Sequence, residues 1–131
     1  MSELRVEVPA YIFIAKSSIP GAGLGAFAAL DIEKHAILGD YTGEECSVDD
    51  DGDYVLYIQG YDNRGNEVER CINAANPETS GWPRYLNSIM EGDGRVANCK
   101  FFINKSKISV KAIAFIPKGQ ELLVDYGREY F

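Results

Sequence analysis

The residues whose types and spacing most favour chemistry lie near the C-terminus, in segment 121–127, which reads ELLVDYG. This segment follows a strand-like run, Ile108 to Ile116, and a Pro-Lys-Gly turn. Its three apolar residues stand between two acids, and a Tyr-Gly pair comes after them. Because a buried strand does not normally end in Asp-Tyr-Gly, the order predicts a short segment that presents the Tyr126 hydroxyl at a defined point.

A glycine-rich turn at residues 17–25, SSIPGAGLG, is a second candidate, because glycine lets a backbone approach a ligand closely. It lacks the Lys and Ser/Thr of a P-loop, and no long helix follows it to supply a dipole. The G-x-G-x-x-G spacing of a dinucleotide fold is also absent. Taken alone, the turn indicates a plain reversal of the chain rather than a phosphate site.

Histidine and cysteine give little support for other chemistry. His35, the only histidine, sits beside two charged residues, which is typical of a surface histidine. Cys46, Cys71 and Cys99 are odd in number and form no C-x-x-C pair, which argues against a disulfide framework or a zinc site. We therefore expect reduced thiols in the core, a reducing compartment and no metal.

Length and charge restrict the class of protein further. The chain has 131 residues, which predicts one domain. No apolar run approaches ~20 residues and the N-terminus does not read as a signal peptide, so we expect an intracellular protein, nuclear or cytoplasmic, without a membrane span. The net charge of −7 and the acid-rich stretch 44–53 disfavour nucleic-acid binding and would suit a basic protein partner.

The elements that must position these residues are mostly strands. Aromatic and β-branched runs bounded by turn signals favour a mostly-β domain of short strands. The predicted strands are Arg5–Val8, Tyr11–Ala15, Ala26–Leu30, Ala36–Tyr41, Tyr54–Ile58, Glu67–Ile72, Val96–Ile103 and Lys107–Ile116. Turns are predicted at 51–53, 62–66 and 104–106, and a short helix at Arg84–Ile89.

Four blocks in one order carry a family resemblance. They are IPGAGLGAF at 19–27, GDYTGE at 39–44, GWPRYLNS at 81–88 with Asn98-Cys99 after it, and segment 121–127. Together they resemble the SET domain, the catalytic module of protein lysine methyltransferases, from about residue 11 to 130 of a single domain 1–131. The blocks at 82–87 and 121–124 are most similar to the PR-type branch.

The resemblance implies a β-clip fold, in which several small curved sheets surround a C-terminal pseudoknot. It also implies S-adenosylmethionine as the cofactor, bound on one face, while the substrate lysine enters a narrow channel from the other. By position, the expected cofactor contacts are Gly21, Ala22, Gly23, Arg84, Tyr85, Asn87 and Ser88. Tyr126 and Tyr41 would be catalytic, and Tyr54 and Val124 would line the lysine channel. Ser88 stands where the family usually has histidine, and the zinc-binding cysteines that often follow the SET domain are missing.

The expected chemistry explains these residue types. Methyl transfer needs a neutral amine, and neutralising lysine at pH 8 costs about 3.3 kcal/mol from its ordinary pKa of ~10.4. An apolar, aromatic channel reduces that cost by desolvating the ammonium, and tyrosine hydroxyls would orient the amine for attack.

Three functions stay open. The first is an active methyltransferase on a histone or histone-like protein. The second is a PR-type interaction module with weak or absent catalysis, and the third is a methyltransferase of another protein. The target lysine and the oligomeric state, including a homodimer, are not determined by the sequence.

Val124 occupies the position where a larger aromatic side chain often limits how many methyl groups fit, so we predict products with two or three methyls. Mass spectrometry of a methylated substrate would measure this, and a series that stops at monomethyl-lysine would contradict it.

Overall fold

The computed structural model describes residues 7–46, 54–62, 64–90, 92–104 and 107–125. Several predicted features lie outside the described residues, wholly or in part. They are Tyr126 and Gly127, residues 47–53 of the acid-rich stretch with the turn at 51–53, Asn63 of the turn predicted at 62–66, the tip of the 104–106 hairpin and the first two residues of the strand predicted at 5–8.

Short strands make up most of the regular structure within the described ranges. The ten strands are β1 (Ile12–Lys16), β2 (Leu24–Ala28), β3 (Ile37–Asp40), β4 (Glu44–Glu45), β5 (Val55–Tyr61), β6 (Glu67–Asn73), β7 (Asn87–Ser88), β8 (Cys99–Asn104), β9 (Lys107–Ala112) and β10 (Leu123–Val124). A four-residue 3₁₀ helix spans Trp82–Tyr85. The predicted mostly-β class is confirmed.

The strands form four small sheets rather than one large one. Three-stranded sheets have the orders β4-β6-β5 and β3-β9-β8, and two-stranded sheets pair β1 with β2 and β10 with β7. All of these pairs are antiparallel except β10 with β7, which is parallel. The sheets share one hydrophobic core, whose fully buried side chains include Leu56, Val110, Ile116, Leu122 and Val124.

The C-terminal strand passes between two parts of the 87–98 loop. On one side, the N–H of Ile89 donates to the carbonyl of Val124 at 2.8 Å. On the other side, the N–H of Asn98 donates to the carbonyl of Leu123 at 3.0 Å, and the Asn98 Oδ1 accepts from the N–H of Leu123 at 2.8 Å. The strand is therefore enclosed by this loop, as the predicted pseudoknot requires.

The helix predicted at Arg84–Ile89 is wrong in position and length. Pro83 lies in the first turn of the observed 3₁₀ helix, where its fixed φ angle is compatible with a helix start. Leu86 is already extended, at φ −67° and ψ 125°, and Asn87 and Ser88 pair with β10. Pairing with a strand more than thirty residues later thus ends the helix, a tertiary effect that local propensity does not report.

Some predicted strands extend beyond the observed ones, and one is absent from its described residues. Residues 29 and 30 follow β2, and residues 36 and 41 flank β3, without being part of a strand. Residues 96–98 and 113–116 flank β8 and β9 without being part of them, and residues 7 and 8 are not in a strand. Within the described ranges, no helix has the length and hydropathy needed to cross a bilayer.

Two of the three cysteines form a disulfide, so the expectation of three reduced thiols is wrong for this pair. Cys46 and Cys71 are bonded, with Cα atoms 5.1 Å apart and a sequence separation of 25. The N–H of Cys46 also donates to the carbonyl of Cys71 at 2.9 Å, because β4 pairs with β6 immediately before it. The two sulfurs meet because of strand register, which cysteine spacing alone does not encode. Cys99 is buried and takes no part in a disulfide.

We predict that iodoacetamide labels one cysteine per chain in denatured, unreduced protein and three after reduction. Closing a loop of this length stabilises a fold by about 3 kcal/mol in the chain-entropy model, so reduction should also lower the melting temperature. Mass spectrometry counts the labels, and a Cys71→Ser variant is the control, with no further loss of stability on reduction. Three labels without reductant would contradict the disulfide.

Candidate active site

The glycine turn offers an open stretch of backbone. Gly21 and Gly23 have φ angles of 78° and 75°, which residues with a Cβ rarely adopt. A Cβ built on either residue would meet no atom within 4 Å, so packing does not explain these glycines. The turn therefore combines a backbone shape that favours glycine with free space on its outer side, which fits close approach by a ligand.

The two ends of this turn are fixed by hydrogen bonds. The N–H of Ser17 donates to the carbonyl of Gly23 at 2.8 Å and closes the turn at its base. Asn87 lies beside the exit from the turn, since its Nδ2 donates to the carbonyl of Leu24 at 3.0 Å. The structure thus brings together the first and third sequence blocks, including the predicted cofactor residues Gly23 and Asn87.

Ser88, which follows Asn87 in β7, is partly buried. Its hydroxyl donates to the carbonyl of Ile89 at 3.0 Å, and its backbone lies in register with Val124. Ser88 is therefore part of the pairing that holds the C-terminal segment against residues 87–98, which we call the Asn87 loop.

Arg84 contacts two aromatic rings and the backbone of residues 74 and 75. Its guanidinium carbon lies 4.1 Å from the centre of the Tyr54 ring and 4.8 Å from that of Tyr85. Its Nε and Nη2 donate to the carbonyls of Ala74 and Ala75 at 2.7 and 3.0 Å. Arg84 therefore joins the helix to the predicted lysine-channel residue Tyr54, while its predicted contact with a cofactor stays a prediction, as does that of Tyr85.

Tyr41 is 4% exposed, and its hydroxyl donates to the carbonyl of Tyr54 at 2.7 Å. Its ring packs edge-on against Phe101, with ring centres 5.5 Å apart. Burial raises the pKa of the Tyr41 phenol well above its ordinary value of 10.0, the Arg84 cation opposes this in part, and Tyr54 adds to it. The phenol stays protonated near neutral pH, and its oxygen can still accept a hydrogen bond.

Val124 and Tyr126 complete the set predicted from the sequence. Val124 is fully buried, within the hydrophobic core cluster and in register with Ser88. Tyr126 lies outside the described residues. Contacts therefore join Tyr41, Tyr54 and Arg84 in one group, and the glycine turn, Asn87 and β10 in another.

A family model described as the PR domain of PR domain zinc finger protein 2 matches residues 12–131. The chain belongs to the PR-domain family. The resemblance to a PR-type SET domain is therefore confirmed.

Two curated relatives of this PR domain are named as histone-lysine N-methyltransferases. Histone-lysine N-methyltransferase set-17 of Caenorhabditis elegans is 33% identical over 125 residues, which is 94% of this chain and 43% of that protein. Human histone-lysine N-methyltransferase 2D is 32% identical over 130 residues, which is 97% of this chain and 2% of that protein. The PR domain thus spans less than half the length of these curated relatives.

Solved structures agree on the fold. The methyltransferase domain of human PR domain-containing protein 2 superposes with a TM-score of 0.72 at 26% identity, covering 89% of this chain and 77% of that one. The ctPRC2 complex bound to S-adenosylmethionine contains a chain with the same fold, with a TM-score of 0.64 at 24% identity over 96% of this chain and 16% of that one. The predicted SET-domain fold class is confirmed.

The buried, hydrogen-bonded carboxylate of Glu121 in this PR domain was not predicted from the sequence. The side chain is only 5% exposed, although it appeared in the sequence merely as an acid beside an apolar run. Its carboxylate accepts hydrogen bonds from Ser17, Ser18 and Asn87. The sequence did carry one signal, since Glu121 stands directly before three apolar residues. A carboxylate at such a position is either exposed to water at a strand end or buried with hydrogen-bond partners.

We predict that a Tyr41→Phe variant loses less stability at alkaline pH than the wild type. The unfolded phenol ionises near pH 10 and the folded one at higher pH, so this contribution is fully present below pH 10 and is lost as pH rises above it. Because one proton corresponds to roughly 1.4 kcal/mol per pH unit above pH 10, the wild type should lose about 1.4 kcal/mol more than the variant between pH 9 and pH 11. Urea unfolding at pH 9 and pH 11 measures it. The control is Tyr61→Phe, at a residue that is 64% exposed, which should keep the wild-type slope. Identical slopes for all three proteins would contradict the prediction.

Proposed function

We propose that this PR domain is an S-adenosylmethionine-dependent protein-lysine N-methyltransferase that acts on a histone or histone-like basic protein. One observation carries this proposal: the pairing of β10 with β7 brings the C-terminal segment beside Asn87, which in turn contacts the end of the glycine turn. The relatives named as histone-lysine methyltransferases support the reaction and the substrate class.

The residues around the glycine turn fit the cofactor. When bound, S-adenosylmethionine supplies a methyl group activated by a sulfonium. The backbone of Gly21, Ala22 and Gly23 would hold it, because this turn has open space where side chains would otherwise stand. Asn87 would stabilise its amino-acid end with the backbone of Ser88, and both residues are held in place by β10. The predicted absence of a metal stays a prediction.

Tyr41 and Tyr54 would receive the lysine side chain. The Tyr41 hydroxyl directs its proton to the Tyr54 carbonyl, so its oxygen is available as an acceptor for an amine N–H. One accepted hydrogen bond would orient the nitrogen lone pair. The buried phenol and the Tyr54 ring would exclude water from the ammonium and lower its pKa.

The positive charge of Arg84 would also lower the pKa of the substrate ammonium. Its guanidinium lies against the Tyr54 ring, and a second cation brought to the opposite side of that ring would be disfavoured. Neutral amine is the reactive species, so this repulsion favours the form that can accept a methyl group.

Charge supports a basic substrate. Glu44 and Glu45 are exposed and follow Tyr41 closely in the chain, in strand β4, where Glu45 forms a salt bridge with Arg70 at 2.8 Å. The Glu44 carboxylate would attract lysine- and arginine-rich segments such as histone tails toward the Tyr41 side of the domain. The expectations that the domain does not bind nucleic acid and that it lies inside the cell stay predictions, and whether it forms a homodimer stays open. The disulfide gives no support to the reducing compartment that was expected from the cysteines.

A second candidate is a PR-type interaction module with weak or absent catalysis. Ser88 favours it, because the serine hydroxyl is bonded to the adjacent Ile89 carbonyl at the position where the family usually has histidine. Calorimetric titration with S-adenosylmethionine separates the two candidates, since the enzyme requires saturable binding. Transfer of a radiolabelled methyl group to nucleosomes, core histones and a peptide array then distinguishes histone from other substrates.

We predict that Tyr126→Phe retains the fold and cofactor binding but loses most of its turnover, because the hydroxyl that orients the reacting atoms is removed. Loss of positioning by one hydroxyl should lower kcat by about a hundredfold. Tyr61→Phe is the matched control, at an exposed tyrosine of β5, and should retain activity. Unchanged methylation by Tyr126→Phe would overturn the role assigned to this tyrosine.

A further inference from the structure

Glu121 carries a buried carboxylate that the proposed reaction does not use directly. Among the described residues, the buried polar side chains are Ser17, Asn98, Ser109 and Glu121, and Glu121 is the only one of these that is acidic. A buried charge is costly unless hydrogen bonds satisfy it. The hydrogen-bond partners of the Glu121 carboxylate therefore indicate its role.

Both carboxylate oxygens accept hydrogen bonds from neutral donors. Oε2 accepts from the Ser17 hydroxyl at 2.8 Å and from Asn87 Nδ2 at 3.3 Å. Oε1 accepts from the N–H of Ser18 at 2.9 Å and from its hydroxyl. One side chain thus connects the end of β1, the Asn87 loop and the C-terminal segment.

These donors lie at the two ends of the glycine turn. Ser17 and Ser18 form its entry, and Asn87 holds its exit through the carbonyl of Leu24. Between these ends, Gly21 and Gly23 have no side chains and open space around them. The position of the turn therefore depends on its ends, and Glu121 bonds directly to the entry and, through Asn87, to the exit.

The sequence also keeps space for this carboxylate. A Cβ built on Gly25 would overlap with Oε2 of Glu121 and would lie 3.3 Å from Nδ2 of Asn87. Gly25 has no positive φ angle, so close approach rather than backbone shape explains this glycine. Arg95 adds a further restraint at the entry, since its Nη2 donates to the carbonyl of Ser18 at 3.1 Å.

We propose that Glu121 is a positioning residue for the cofactor: it aligns the backbone of the glycine turn with Asn87, without touching the cofactor itself. This role rests on the proposed methyltransferase function. It predicts a loss of cofactor affinity when the carboxylate is changed, with the chemical step much less affected at saturating cofactor.

The test compares Glu121→Gln with the wild type by calorimetry and steady-state kinetics. Glutamine keeps the size but replaces one acceptor oxygen with a donor, so at least one of the present bonds is lost. We expect Kd and KM for S-adenosylmethionine to rise about tenfold, with kcat changed less than twofold. Affinity for S-adenosylhomocysteine should fall by the same factor, because alignment of the turn matters to both ligands. If only the affinity for the positively charged S-adenosylmethionine falls, the positioning role is wrong and Glu121 acts on the cofactor directly by its charge.

A structural role alone would give a different result. In that case the melting temperature of Glu121→Gln falls while Kd and KM, measured well below it, stay at the wild-type values. Amide chemical shifts of Gly21 and Gly23 in the cofactor-free protein give a second readout, and should move in Glu121→Gln. Glu69→Gln is the matched control, since that acid also accepts an amide hydrogen bond, from Gln59 at 2.8 Å, but is exposed. It should leave shifts and affinity unchanged.

Ser18→Ala keeps the proposal testable if Glu121→Gln does not fold, because it removes one donor and leaves the carboxylate in place. It should weaken cofactor binding in the same direction by a smaller factor. Where both variants fold, the double variant should lose less affinity than the product of the two single effects. Wild-type affinity in the folded variants would overturn the role of Glu121 alone. Absence of cofactor binding by the wild type would instead overturn the proposed function, and this role with it.

Discussion

The parallel pairing of β10 with β7 is the constraint on which the rest of this domain depends. Without it, the Asn87 loop and the C-terminal segment would be separate surface features. With it, Leu122 and Val124 enter the core and Glu121 is carried to the base of the glycine turn. A two-residue pairing is weak by itself, so its stability comes from the apolar side chains buried on either side of it and from the bonds to Asn98.

Local pattern predicted the antiparallel strands well, because alternation and turn residues are encoded within each hairpin. Both the β5–β6 and the β8–β9 hairpins are present for this reason, although β8 begins three residues later and β9 ends four residues earlier than predicted. The short helix was misplaced because its last residues pair with a distant strand. The disulfide was missed because the register of β4 with β6, rather than cysteine spacing, brings Cys46 to Cys71.

The candidate site was predicted in its parts but not in its connections. Family position indicated Gly21, Gly23, Asn87 and Tyr41, and the structure groups them as two halves. The sequence does not indicate that Arg84 stacks on Tyr54, or that the Tyr41 hydroxyl donates to a backbone carbonyl. Those contacts arise from side chains brought together by different sheets, and such contacts leave no periodicity in the chain.

The enclosure of β10 by the 87–98 loop has a consequence for folding. The contact of Ser18 with Glu121 spans 103 residues, so the entropy of closing a long loop must be overcome before it forms. Chains dominated by such contacts fold slowly, and a strand that passes through a loop can settle only after the loop exists. The antiparallel hairpins can form early, whereas the two halves of the site meet at the end of the pathway. A chain that is still being synthesised therefore forms most of its sheets before β10 has emerged, and its site is assembled only once β10 has passed through the loop.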